Sequence, residues 1–377
     1  MHEFIPVNEP LLDGNEKKYL MECIDTGWIS SEGPFVQRFE EEMAKTVNRK
    51  YGVAVSNGTA ALEIAVQALN IGKGDEVIMP TFTIISCAAA VVKAGAKPVF
   101  VDSDPNTWNM DVSKIEEKIT AKTKAIMVVH IYGLPVEMEY VLELARKYKL
   151  KIIEDAAEMH GQTYNNQPCG SFGDISIFSF YPNKHITTGE GGMILTNEEH
   201  LAERCRGIRN LCFMPERRFV HEEIGFNYRM TNLQAALGVA QLERLQKFVE
   251  KKRYIGEKYT SLLGNVKGLQ LPLADTSYAD NIYWVFAIVL DDSLPFDAEW
   301  IMKKLAERNI GTRPFFWPMH EQPVFKKTGI VGEGSYPVAE KIARRGFYIP
   351  SGLAITDLQM EQVAQELEAI MKEYSNV

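Results

Sequence analysis

GSFGDISIFSFYPNKHITTGEGGMILT, residues 170–196, contains two short apolar runs separated by an irregular turn. Ile175–Phe180 is dense in β-branched and aromatic residues and reads as a buried strand. Gly192–Thr196 reads the same way. Between them, Tyr181-Pro182-Asn183-Lys184 leaves the first strand and His185-Ile186-Thr187-Thr188-Gly189-Glu190-Gly191-Gly192 leads into the second. Pro182 and the glycines at 189, 191 and 192 fix an irregular turn around Lys184. A lysine held rigidly in such a turn, partly out of water, loses affinity for its proton. Its free amine then becomes a nucleophile or a Schiff-base former.

Working outward, short β-branched runs alternate with helical patterns from about residue 50 to 200. The runs are Tyr51–Val55, Glu76–Met79, Pro98–Asp102, Ala125–His130, Lys151–Glu154 and the two above, with helical stretches such as Ala60–Leu69 and Met138–Tyr148 between them. This alternation predicts an α/β fold with a mainly parallel, buried sheet. Ligands of such sheets bind at the carboxyl ends of the strands. Asp155, which follows Ile152-Ile153-Glu154, and Lys184 both stand at such ends, so both are expected in one cleft.

A third piece is Ser56-Asn57-Gly58-Thr59-Ala60-Ala61-Leu62, which follows the first strand and opens a helix. The N–H groups and positive dipole end of a helix N-terminus, with Gly58 allowing close approach, form a seat for one phosphate. Neither a GxxxxGK[ST] loop nor a GxGxxG fingerprint is present. Ser179 is a further candidate phosphate donor. Each piece alone also has a plain structural reading: a helix cap, a hydroxyl on a local backbone group, a solvated lysine, a surface acid. Together, a lysine for an aldehyde, a strand-end acid for a pyridinium nitrogen and a phosphate seat are what pyridoxal phosphate needs.

The chain has 377 residues, enough for two domains. The expected division is residues 1–249, a large domain with its N-terminal segment, and 250–377, a small α+β domain. The latter holds strand-like runs Ile282–Leu290 and Gly311–Phe316, helical patterns near Glu299–Arg308 and Leu358–Tyr374, and follows one long helical pattern over Asn232–Leu263. The charged stretch Glu250–Lys258, of a kind that is usually just a solvated helix face, reads here as the bridge into the second domain. With 46% hydrophobic and 24% charged residues the composition is that of a globular enzyme. The formal net charge of -9 and the lack of a basic stripe speak against nucleic acid as a partner. No apolar run approaches a membrane span, and Met1-His2-Glu3-Phe4 does not start a signal peptide. Five cysteines without CxxC pairs suit reduced thiols and a cytoplasmic location. No His/Cys spacing suggests a metal.

Across almost its whole length the chain resembles the pyridoxal-phosphate-dependent sugar aminotransferases called DegT/DnrJ/EryC1/StrS. The motifs that carry the resemblance are GWISSEGPFVQRFE (27–40), SNGTAALEIA (56–65), DEVIMPTFT (75–83), PVFVDSD (98–104), IIEDAAEMHG (152–161), the opening stretch 170–196, GFNYRMTNLQAALG (225–238) and TRPFFWPMH (312–320). The resemblance implies the aspartate-aminotransferase fold, type I, with Lys184 as the residue that condenses with the cofactor aldehyde. It implies that Asp155 pairs with the pyridine nitrogen and Glu158 faces the phenolic side. It places Gly58, Thr59 and Ser179 at the phosphate. Asn227 would reach the phosphate of the neighbouring subunit, which implies a homodimer with shared active sites, and His320 would face the substrate. Where the family usually stacks an aromatic residue on the ring, this chain has Ile84, so aliphatic packing, or Phe82 moving in, is expected to replace that contact.

The family's donor is commonly L-glutamate and its acceptor a nucleotide-linked keto sugar. HITTGEGG after the lysine, SSEG after Trp28-Ile29, and RPFFWPMH look most like members that aminate C4 of GDP-4-keto-6-deoxy-D-mannose for O-antigen. UDP- or dTDP-linked 4-keto sugars and a small phosphorylated ketone are the alternatives. The related sugar 3-dehydratases carry His where this chain has Lys184. A non-catalytic sensor would have no use for an intact Lys184–Asp155 pair.

Overall fold

The computed structural model describes residues 3–214, 216–332 and 334–374, so Met1 and His2 lie outside the described residues. Within them, seven strands form one sheet: β1 (Tyr51–Val55), β2 (Glu76–Pro80), β3 (Lys97–Val101), β4 (Thr123–Val129), β5 (Lys151–Asp155), β6 (Ile175–Ser179) and β7 (Gly192–Thr196). Their order is β1-β7-β6-β5-β4-β2-β3. Neighbours from β6 through β3 pair in parallel. β7 runs antiparallel to both β6 and β1. A strand reversed against both its neighbours leaves those two pointing the same way. The carboxyl ends of β1, β6, β5 and β4 therefore open on one edge.

The sequence explains this layering. β1, β5 and β6 are apolar on both faces because each face is covered, and their central residues are buried. One apolar core lies against the Gly58–Ala68 and Ile85–Lys93 helices. The other takes in the Met138–Tyr148 helix and a layer built by Glu16–Thr26, Pro34–Thr46 and Asn232–Leu242. There Gly238 meets the Phe39 ring so closely that an added Cβ would come within 2.5 Å of it. The two N-terminal helices had no counterpart among the elements expected from the sequence.

The expected Asn232–Leu263 helix is two helices, Asn232–Leu242 and Leu245–Leu263. No Pro or Gly breaks it. The join is held by tertiary bonds instead: Glu243 accepts from Tyr19, Asn15 and Arg38, and Arg244 pairs with Asp13. The second helix runs unbroken through residue 250 into a smaller antiparallel sheet ordered Leu269–Gln270, Phe286–Leu290, Gly346–Ile349, Arg313–Pro314. The strand expected from 282 begins only at 286, because Tyr283 takes the left-handed conformation with φ 47°. The one expected over 311–316 shrinks to two residues, since Pro314 has no N–H with which to extend the ladder. Ile5 pairs with Ile310 and packs into this smaller core, so the N-terminal segment serves the small sheet as well as the large one.

Candidate active site

At the carboxyl edge of the large sheet lies a cavity of about 710 Å³, within the usual size of a small-molecule site. Its wall includes Gly58, Thr59, Ile84, Asp155, Glu158, Ser179 and Lys184. The region of the small sheet closes it with Tyr348 from the Gly346–Ile349 strand and with Trp284 and Phe316, which flank the Phe286–Leu290 and Arg313–Pro314 strands.

Lys184 sits in the β6–β7 connection, whose shape is pinned from several sides. The Phe180 carbonyl accepts from Thr187 Oγ1 at 2.9 Å and Thr188 N at 3.0 Å, and Phe180 N donates to Gly191 O at 2.9 Å. Gly189 takes φ 78°, which suits a residue without a side chain. Asn8 donates to the Pro182 carbonyl at 2.9 Å, and the Trp284 indole donates to the Asn183 carbonyl at 2.8 Å. Held this way, Lys184 Nζ stands 3.7 Å from Glu158 Oε1 and 3.9 Å from the centre of the Trp284 ring.

Burial dominates the electrostatics. It pulls the Lys184 ammonium below the usual lysine range, although Glu158 and Asp155 oppose this. It pushes the Glu158 carboxyl up, against the opposing pull of Lys184 and the Tyr132 N–H. Burial thus disfavours the charged form of both groups, while each favours the charge of the other. Asp155 is also raised by burial, despite accepting from Ala157 N at 3.0 Å and the Cys87 thiol at 3.2 Å. Cys87 itself is pushed well above its normal range and stays a protonated donor. A buried carboxylate so placed would be favoured by an adjacent cation such as a protonated ring nitrogen.

The helix end expected to seat a phosphate has a clear local geometry. The Asn57 side chain caps the Gly58–Ala68 helix by accepting from Ala60 N at 2.8 Å, and its carbonyl accepts from Ala61 N. That leaves the Gly58 and Thr59 N–H groups without a protein partner among the described residues. Thr59 and Ser86 share a hydroxyl–hydroxyl bond of 2.8 Å beside them. A Cβ on Gly58 would come within 2.8 Å of the Ser179 Cβ, so the glycine is what lets β6 approach the helix end. Seat, buried carboxylate and depressed lysine fit pyridoxal phosphate. Gly58→Ala should therefore weaken cofactor binding by about 1–3 kcal/mol, or roughly 10- to 100-fold in Kd. Fluorescence titration of the apoprotein would measure it, and an unchanged Kd would remove Gly58 from the seat.

Two residues expected at the site line no part of this cavity. His320 is buried, with Nδ1 bonded to Thr81 Oγ1 at 2.8 Å and Nε2 3.3 Å from Glu340 Oε1. Asn227 is exposed on the segment that bridges to Asn210. Ile84 lines the cavity, as its motif position implied, and precedes the Ile85–Lys93 helix. Phe82 does not come to its aid. It is fully buried among Tyr132, Phe315 and Phe316, which fixes its ring away from the cavity. The sequence reading missed Cys87, Ser86, Trp284, Phe316 and Tyr348. Cys87 and Ser86 lie one helical turn past the PTFT motif, where a helix starting at 85 aims them back at the strand ends. The other three lie on or beside strands of the small sheet, for which no spacing in the sequence gives an address.

Comparison with known proteins agrees with this geometry. A sequence model of the DegT/DnrJ/EryC1/StrS aminotransferase family matches residues 10–368. The chain is 43% identical to a GDP-perosamine synthase of Escherichia coli O157:H7, over 99% of this chain and 100% of that one. It is 41% identical to a GDP-perosamine synthase of Vibrio cholerae, over 95% and 97%. Its fold is similar to the crystal structure of the aminotransferase TlmJ from Streptoalloteichus hindustanus, with a TM-score of 0.92, 30% identity, and coverage of 98% and 100%.

Proposed function

The chain belongs to the DegT/DnrJ/EryC1/StrS aminotransferase family, and from that premise we propose that it transfers an amino group from L-glutamate to the C4 ketone of GDP-4-keto-6-deoxy-D-mannose, giving GDP-perosamine. It is a pyridoxal-phosphate-dependent transaminase of fold type I. The observation that carries the substrate reading is the 41–43% identity, over nearly full length, to two GDP-perosamine synthases. It is joined to a site in which the Lys184–Asp155 pair is intact.

Pyridoxal phosphate supplies an aldehyde that takes up amines and a ring that draws electrons from the reacting carbon. The chain's residues do the rest. Gly58, Thr59, Ser86 and Ser179 would hold the phosphate, and the ionised Asp155 would keep the ring nitrogen protonated. Lys184, released as a free amine, would take the proton from the donor's Cα and return one at the other end of the reaction. One positioned base would thus serve both halves. Glu158, raised by burial beside Lys184, can relay that proton locally.

The test is to convert the enzyme to its aminated cofactor form and offer GDP-, UDP- and dTDP-linked 4-keto-6-deoxy sugars. Return of the aldehyde-form absorbance should be fastest with the GDP sugar. A faster UDP or dTDP sugar would reassign the substrate, and no return with any of them would reject sugar amination.

The same reading includes a homodimer in which Asn227 reaches the partner's phosphate seat. Support comes from its exposure and from the neighbouring bare apolar side chains Phe219, 81% exposed, and Ile224, 86% exposed. Asn227→Ala should weaken cofactor binding by about 1–2 kcal/mol, the cost of one hydrogen bond to a charged group. Sedimentation showing a fully active monomer would reject this arrangement. The division near residue 250, crossed by the Leu245–Leu263 helix, is proposed as the line between the two domains. A cytoplasmic enzyme supplying GDP-perosamine for O-antigen is the cellular role consistent with this chemistry. Among the described residues no helix is long and apolar enough to cross a membrane.

A further inference from the structure

Lys252 lies in the charged stretch Glu250–Lys258, a composition that usually marks a solvated helix face, yet it is only 3% exposed. It occupies a core position of its helix, in line with Phe248, Val249, Ile255, Gly256 and Tyr259. Its ammonium donates to two backbone carbonyls, Trp284 at 2.8 Å and Ser351 at 2.7 Å. Among the described residues no carboxylate pairs with it. Burial alone pulls it down to about 7. A buried ammonium without a counter-ion is costly, and an apolar side chain of similar length would serve packing better.

What the two bonds hold is the wall of the active site. Trp284 is gripped at both ends: its carbonyl by Lys252, and its indole by the Asn183 carbonyl one residue before Lys184. Its ring lies 3.9 Å from Lys184 Nζ. The Ser351 side chain completes the bracket, accepting from Phe286 N at 3.0 Å. Lys252 and Lys184 also share the wall of one narrow crevice, which Asn183 and His185 line as well.

We propose that Lys252 is a positioning residue for the transamination: it fixes Trp284 across the junction of the two sheets, and Trp284 in turn fixes and shields the Lys184 amine. This rests on Lys184 being the reactive amine, which Lys184→Ala tests separately.

The test uses Lys252→Met, which keeps the stem and loses the donors, and Trp284→Phe, which keeps a ring and the Lys252 charge but loses the indole donor. The first readout is the pH dependence of Lys184 acetylation in the apoprotein, followed by mass spectrometry. The titratable groups facing Lys184 are Glu158, Asp155, Cys87, His160 and His185, and both variants leave them in place. A loosened Trp284 admits water, so in both variants the Lys184 midpoint should rise toward the ordinary lysine value. At neutral pH acetylation should be about tenfold slower, the equivalent of one unit. The second readout is a fall of about ten- to a hundredfold in kcat with KM for glutamate nearly unchanged. Should Lys252→Met not fold, Lys252→Gln, which reaches fewer carbonyls, takes its place with the same expected direction. An unchanged midpoint in both variants, with only lowered thermal stability, would make Lys252 merely structural. A shift in the Lys252 variant alone would make its effect direct charge repulsion. Either result overturns the proposal.

Discussion

Lys184→Ala should cut turnover with glutamate by at least about 10³-fold, the combined loss of a nucleophile and of the base that moves the proton. The structure says why nothing nearby can substitute. Of the other amines on the cavity wall, Lys93 is tied to Glu63 at 2.5 Å and its side chain is 63% exposed, so it is held away from the site of reaction by its carboxylate partner. Lys184 is buried beside a raised carboxyl and an aromatic face, and its ammonium is pulled down by that burial. The fold should survive, because the turn is held by its backbone bonds and by Asn8 and Trp284, none of which use the Lys184 side chain. The check is steady-state turnover alongside thermal unfolding. Near-normal turnover in a folded variant would remove Lys184 from the chemistry and with it the transaminase reading of this site.

How much of this was legible in the sequence follows from how each element is determined. The strands of the large sheet were readable within a residue or two because each is an uninterrupted apolar run covered on both faces, so local pattern and burial agree. Lys184, Asp155 and the Gly58 helix end followed, since they hang directly from those strands. The wall facing them was not readable. Trp284 and Tyr348 are placed by the pairing of Phe286–Leu290 with Gly346–Ile349, a long-range choice that no local spacing encodes. The break at Glu243–Arg244 is set by side-chain partners more than 200 residues away in sequence, so the helical pattern ran through it. The burial of Lys252 was not readable for a different reason. The apolar period of its helix passes through residue 252, but a lysine within a charged stretch gives no local sign that it is buried. His320 was assigned by motif, and the structure turns it to Thr81 because a buried imidazole takes the nearest hydroxyl.

Asp155→Asn should slow the glutamate half-reaction by about 10²–10³-fold or more, while leaving cofactor retention largely intact. The magnitude is that of removing one preorganised charge from a dry site. In the native chain the Asp155 carboxyl is buried, with one oxygen accepting from Ala157 N and the other from the Cys87 thiol. Burial raises it, so it gains most from a cationic partner, and a protonated ring nitrogen gains equally from the carboxylate. Asparagine is nearly isosteric and can still accept from Ala157 N. It is neutral, however, and can donate to an unprotonated ring nitrogen, so it stabilises the state that draws electrons poorly. The proposed phosphate seat lies on other elements, Gly58 and Thr59 at the start of the Gly58–Ala68 helix and Ser179 at the end of β6, and is untouched. The half-reaction is followed in a single turnover by the loss of the aldehyde-form absorbance, with equilibrium dialysis for binding. Loss of binding with a normal residual rate would make Asp155 an anchor instead of an electronic partner, and wild-type values for both would remove it from the site. Cys87→Ala is the graded companion: it keeps the carboxylate and deletes one donor to it, so its effect on the half-reaction should be in the same direction and smaller, about tenfold.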